Sequence, residues 1–255
     1  MSEAFEAEHP GARVRVSPNW SERRDGLKPT ILLLHYTGMA TGHGAEDRLC
    51  DPSSEVSAHY LVHENGEVVQ MVPEAGRAWH AGAGSWHGLD DINSRSIGVE
   101  IVNRGHAYDY PDFPAEQIEA VMALVRGIMD RHAIPPDRVL AHSDVAPGRK
   151  VDPGEKFPWK RLAEAGLAVA AEECGDTSPM LGPGDAGAAV EELQCLLREC
   201  GYGTEQTGVF DPRTAAVVDA LQRRFRPSCV SRAADRGTIA TLRNLHACIR
   251  ARDAV

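Results

Sequence analysis

Two short apolar runs, each handing the chain to a histidine, constrain this sequence more than any other feature. Ile31-Leu32-Leu33-Leu34 follows Pro29 and delivers His35, and Val139-Leu140-Ala141 delivers His142. The first run is continuous and short, the pattern of a buried strand. Ala58-His59-Tyr60-Leu61-Val62 and Val68-Val69-Gln70-Met71-Val72 flank Asn65-Gly66, so they predict a hairpin with Asn-Gly as its turn. Residues 96–102 form a further strand, alternating at its centre. Residues 115–132 place Ile118, Val121, Met122, Val125, Ile128 and Met129 at helical spacing, and Pro135-Pro136 ends that helix. A second helix is expected from Trp159 to about Glu173. Strands alternating with helices predict an α/β domain over residues 10–172, a mixed central sheet flanked by helices.

Beyond it the composition shifts. Residues 173–186 carry the Gly, Pro and Ser content of a linker. Residues 187–252 predict a small three-helix domain, with helices over 187–200, about 212–226 and about 235–250. Val190, Leu193, Leu196 and Leu197 line one face of the first; Val217, Val218, Leu221 and Phe225 line one face of the second. A bundle this small has little core of its own.

The net charge of −10 argues against a nucleic-acid partner, because a polyanion needs a basic face. Residues 180–255 hold nine acidic and ten basic side chains, so the negative excess lies in the first domain. No stretch approaches the ~20 apolar residues of a membrane span. The acidic opening Met1-Ser2-Glu3-Ala4-Phe5-Glu6-Ala7-Glu8 lacks an apolar core, which gives a cytoplasmic expectation. The six cysteines form no C-x-x-C pair and are expected to be mostly small buried residues, with one C-terminal disulfide open if the protein is exported.

Ten of the eleven histidines lie in residues 1–142. Those that matter sit at strand ends, where side chains converge above a sheet. His35 and His142 do so, and Lys150 and Asp152 follow in Arg149-Lys150-Val151-Asp152-Pro153-Gly154, two apart and on one face of extended backbone. Two imidazoles and a carboxylate suit a catalytic zinc that keeps a fourth position open. Glu100, near the end of the alternating strand, can act as general base, and Lys150 as the cation that stabilises an oxyanion.

Five segments in order then resemble the zinc amidases of the N-acetylmuramoyl-L-alanine amidase type 2 family, related to phage lysozyme-type amidases and peptidoglycan recognition proteins. They are Leu-Leu-Leu-His-Tyr-Thr-Gly (32–38), Val-Ser-Ala-His-Tyr-Leu-Val (56–62), Arg-Ala-Trp-His-Ala-Gly (77–82), Asn-Ser-Arg-Ser-Ile-Gly-Val-Glu-Ile (93–101) and Ala-His-Ser-Asp-Val-Ala-Pro-Gly-Arg-Lys-Val-Asp-Pro-Gly (141–154). The resemblance implies Zn2+ held by His35, His142 and Asp152, with Glu100 as base and Lys150 stabilising the tetrahedral intermediate. It further implies cleavage of the amide between N-acetylmuramic acid, in 1,6-anhydro form or not, and L-alanine. Tyr36, His59, Trp79, His80, Asn93 and Arg95 are the implied substrate contacts. For His59 a hydrogen-bonded core role is the alternative, and for Tyr36 and Trp86 ordinary packing.

The tail, with Gly201-Tyr202, Gly208-Val209-Phe210 and a helix capped by Asp211 or Thr214, resembles a three-helix peptidoglycan-binding module. Two other functions fit the same fold: a non-catalytic peptidoglycan-recognition protein, and a zinc endopeptidase acting within the stem peptide. The partner in every case is peptidoglycan or a muropeptide, and the chain is expected to act as a monomer. The tail favours polymeric wall as substrate, while the opening residues favour soluble muropeptides.

Overall fold

Period-two alternation in the central strands decides what each face of the sheet carries. The computed structural model describes residues 5–253. In chain order the elements are β1 (Arg13–Val14), β2 (Trp20–Glu22), β3 (Ile31–Tyr36), α1 (Gly42–Cys50), β4 (Tyr60–Val62), β5 (Val68–Gln70), β6 (Gly76–Ala78), α2 (Ile92–Arg95) and β7 (Ser96–Ile101). They continue with α3 (Ala115–His132), β8 (Val139–Ala141), α4 (His142–Val145), α5 (Trp159–Glu164), α6 (Ala188–Glu199), α7 (Pro212–Phe225) and α8 (Arg236–Asp253). Six strands form one mixed sheet in the order β1-β5-β4-β7-β3-β8, and β2 pairs with β6 in a separate ribbon. Strands β4, β7, β3 and β8 run parallel, and β5 runs antiparallel to β4.

Leu32 and Leu34 of β3 join Ile97, Val99 and Ile101 of β7 in packing against Ile118, Val121, Leu124, Val125 and Ile128 of α3. Ile31 and Leu33 face the other way. There they join Leu140 and Val145 in one buried cluster with Val190, Leu193 and Leu197 of α6 and Val217, Val218 and Leu221 of α7. The small bundle therefore completes its core against the sheet rather than within itself, which is how so few residues can bury enough apolar surface. A third cluster sets Ala45 and Leu49 of α1 against Leu61, Val69 and Met71.

The α/β class, the mixed sheet and the three tail helices are as expected. Several details differ. The hairpin loop is longer than Asn-Gly alone. Val62 pairs with Val68, the Gly66 N–H donates to the His63 carbonyl at 2.9 Å, and the only positive φ in the loop is +83° at Gly66. That is a three-residue loop ending in left-handed Gly. The helix expected to reach Glu173 stops at Glu164; Gly166, at φ +73°, turns the chain back so that Leu167 and Val169 are buried. Asp211 caps α7, accepting from Thr214 N at 2.7 Å. All six cysteines are free, but only Cys200 is buried; Cys50, Cys174, Cys195 and Cys229 are half-buried and Cys248 is exposed. Among the described residues no helix is long and apolar enough to cross a membrane.

Candidate active site

Three parallel strands end on one side of the sheet, and the side chains at those ends meet. His35 and Glu100 are register partners on β3 and β7. Alternation puts both on the face opposite α3, since Leu34 and Val99 take the other. His142 opens α4 directly after β8, and Asp152 closes the loop that follows. The Asp152–Pro153 peptide bond is cis.

His35 Nδ1 lies 2.8 Å from His142 Nδ1 and 3.1 Å from Asp152 Oδ2, and His142 Nδ1 lies 2.9 Å from the same oxygen. All three side chains are buried. Burial opposes the charge on Asp152, but the adjacent imidazoles, His142 above all, hold its carboxyl below the usual range. Burial, reinforced by His142, lowers the His35 imidazole to about 4.

The outer nitrogens of both rings are committed. His142 Nε2 donates to the Ala81 carbonyl at 2.9 Å, leaving Nδ1 with its lone pair inward. For His35 a chain of bonds has the same effect. Ser96 Oγ donates to the Ile92 carbonyl at 2.6 Å, so it accepts from His80 Nε2 at 3.3 Å. His80 Nδ1 is then free to accept from His35 Nε2 at 3.0 Å, which again points a lone pair to the centre. Two lone pairs and a carboxylate oxygen converging on one point are a donor set for a small divalent cation of the zinc type.

The cleft above this centre has a volume of about 390 Å3, and Tyr36, Trp79, His80, Glu100, Arg149 and Lys150 line it. Glu100 Oε2 is buried without a hydrogen-bond partner. Burial, and then the Asp152 charge, push the Glu100 carboxyl well above its usual value, with Lys150 partly offsetting them. Such a carboxylate is poised to take a proton. The Lys150 ammonium makes no ion pair among the described residues.

Of the expected substrate contacts, Tyr36, Trp79 and His80 line the cleft, and the structure keeps the other three away from it. His59 is fully buried; Nδ1 accepts from Gly98 N at 2.9 Å, and Nε2 donates to the Gly76 carbonyl at 3.1 Å. Burial, then the nearby Arg23, lowers its imidazole to about 3, so it is a neutral core residue. Asn93 is buried and spends its side-chain oxygen on His80 N and Ala81 N, at 3.1 and 2.8 Å. Arg95 precedes β7, at the end of that strand away from Glu100, and its Nε donates to the Asp90 carbonyl at 3.0 Å. Trp86 packs edge-on against Tyr202, ring centroids 5.1 Å apart, which settles its role as packing. Gly98 is required here: a Cβ would come within 2.5 Å of the His80 ring.

Ser96 and Arg149 were not singled out from sequence. Arg149 hydrogen-bonds the carbonyls of Ala81 and Ala83, tying the loop that carries Lys150 and Asp152 to the segment that follows Trp79-His80. Both lie inside quoted motifs, but nothing in their spacing distinguishes them from their neighbours.

The chain is similar to known proteins over most of its length. Residues 25–155 match the family model of N-acetylmuramoyl-L-alanine amidase, and residues 186–242 match that of the peptidoglycan binding domain. The chain is 35% identical over 226 residues to N-acetylmuramoyl-L-alanine amidase AmiD of Escherichia coli strain K12, spanning 82% of this chain and 79% of that one. It is 33% identical over 169 residues to 1,6-anhydro-N-acetylmuramyl-L-alanine amidase AmpD of the same strain, spanning 60% of this chain and 90% of the relative. The solved complex of Escherichia coli AmiD with anhydro-N-acetylmuramic acid-L-Ala-D-gamma-Glu-L-Lys superposes with a TM-score of 0.74 at 32% identity, covering 91% of each chain.

Proposed function

The chain belongs to the N-acetylmuramoyl-L-alanine amidase family, and from that premise we propose how its cleft works on muropeptides. It hydrolyses the amide that joins N-acetylmuramic acid to L-alanine in peptidoglycan fragments. We assign His35, His142 and Asp152 as ligands of a zinc ion. The observation that carries this is the convergence of their three donor atoms beside a buried, unpartnered carboxylate oxygen of Glu100. Zinc, when bound, would acidify a water molecule and polarise the scissile carbonyl.

The protein supplies the rest. Glu100, ionised, removes a proton from the attacking water at Oε2 and returns it to the departing L-alanine nitrogen. Lys150, which lines the same cleft, places its ammonium where the carbonyl oxygen becomes negative. Trp79 and Tyr36 flank the opening and offer flat apolar faces to sugar and peptide. The anhydro form of the sugar is the favoured substrate, supported by the names of the relatives and by the ligand in the AmiD complex. Residues 10–172 form the catalytic domain, 173–186 the connector and 187–252 the helical module in this scheme.

The test is incubation of the purified protein with a defined anhydro-muropeptide, products followed by mass spectrometry, before and after chelation and zinc return. Release of stem peptide beginning at L-alanine, lost on chelation and restored by zinc, is the expected result. No cleavage by the zinc-loaded protein would leave a recognition role; cleavage inside the stem would make it an endopeptidase.

A further inference from the structure

The helical module meets the catalytic domain through several elements, and one of them, α7, lies against the segment from α4 to Asp152 that carries three of the five proposed site residues. Near its start, Arg213 Nη1 donates to the Pro147 carbonyl at 3.2 Å. One turn on, Ala216 packs so closely on Gly148 that a Cβ there would sit 3.1 Å from its methyl group. At the far end two adjacent arginines diverge. Arg224 pairs with Asp144, two residues after His142, and its Nη2 donates to the Val139 carbonyl at 2.8 Å. Arg223 pairs with Glu155, three residues after Asp152, and also contacts His106. Tyr202, just beyond α6, donates to Asp144 Oδ1 at 2.9 Å, while Asp144 Oδ2 accepts from Ala141 N at 2.9 Å.

The Arg224–Asp144 pair is out of water, with side-chain exposures of 2% and 0%. Arg224 also lies over the Trp159 ring, 4.3 Å from its centroid. A pair that deep is costly to assemble unless its remaining hydrogen bonds are satisfied, and Ala141 N, Val139 O and Tyr202 supply most of them. What it fixes is the turn from which His142 projects.

We infer that α7 clamps the ligand loop: Arg224 and Tyr202 position His142 through Asp144, and Arg223 positions Asp152 through Glu155. These are positioning residues, none of which touches the substrate or the metal. The module is then a working part of the catalytic centre, whatever it binds outside. The inference rests on the ligand assignment proposed above.

The test uses the full chain, stripped of metal and titrated with zinc against a chromophoric chelator. Tyr202→Phe removes one hydroxyl and Arg223→Ala two partly exposed ion pairs, to Glu155 and to Asp219, and each should weaken zinc binding about tenfold. Arg224→Met should weaken it about a hundredfold, and Arg224→Lys, which keeps a cation beside Asp144, should recover most of that loss. Leu245→Ala is the control: Leu245 is buried in α8, which packs on α6 and α7, so the variant should melt lower with zinc affinity unchanged. If Arg224→Met does not fold, Tyr202→Phe and Arg223→Ala decide. Folded clamp variants that bind zinc within twofold of the parent would overturn the clamp alone. A parent chain that binds no zinc would overturn the ligand assignment, and the clamp with it.

Discussion

The two sides of the cleft are built by different means. His35 and Glu100 sit on neighbouring parallel strands, locked in register by backbone hydrogen bonds and turned to one face by alternation. His142, Lys150 and Asp152 sit on a one-turn helix and a loop with no strand ladder, tied by a few local backbone bonds such as Ser143 N to the Asp152 carbonyl and braced by side chains from elsewhere. A strand places a residue by its own regularity; a loop has to be held by partners. Removing a side chain on the strand side should therefore leave its shape intact, whereas the loop side keeps its shape only while the partners that hold it remain.

The largest contrast to test is between one carboxylate from each side. Asp152→Ala should abolish turnover and zinc binding alike. Glu100→Gln should lower kcat about 10²–10⁴-fold with zinc affinity preserved, since Glu100 is placed by the sheet and is not a ligand in this scheme. Zinc titration and turnover measured on both variants check this, and a Glu100→Gln protein unable to hold zinc would break the comparison. Lys150→Met should cost about 10²–10³-fold in kcat with little change in KM, the pattern of a group that acts only on the developing oxyanion. Trp79→Ala should do the reverse, raising KM about tenfold and leaving kcat nearly unchanged, because its ring offers contact area rather than charge.

The same division explains what could be read in the sequence. His35 and Glu100 were legible because a short apolar run and an alternating strand announce which face each residue takes. The α3 helix was legible to the residue, because six apolar side chains repeat at its period and a proline pair follows. His142, Lys150 and Asp152 were identifiable as types at a known spacing, but not what holds them. Asp144 looks like any solvated acid in sequence, and its partner Arg224 is 80 residues away. The sequence left His59 open between core and cleft and placed Asn93 at the cleft for a related reason. Both lie in motifs near the cleft, and only the placement of Gly98, Gly76, His80 and Ala81 shows that both His59 nitrogens and the Asn93 side-chain oxygen are already used. Helix α1 left no trace, since Gly42–Cys50 carries too few apolar residues to show a period.

The smallest expected effect sharpens the comparison from the far end of the sheet. Glu74 lies beyond β5, beside the start of β4 and away from the cleft, and accepts from Tyr60 at 2.7 Å, from Arg131 Nε at 3.0 Å and from His132 at 2.7 Å. Burial would raise its carboxyl, but these bonds, His132 first, bring it down to about 2. A carboxyl whose folded value lies below its unfolded value, 4.5 here, contributes stability that is fully present above about pH 4.5 and lost as the pH falls toward 2. Glu74→Gln should therefore melt below the parent at pH 7, and the gap should narrow as the pH is lowered from about 5 toward 3. Zinc affinity and kcat at pH 7 should be untouched, because the strands between Glu74 and His35 transmit no loop movement. Thermal melts of both proteins across that range, with a zinc titration at pH 7, make the measurement. A constant gap would show that the Glu74 carboxylate is not what ties β4 to α3, and a fall in zinc affinity would show that the strand side depends on remote support as much as the loop does.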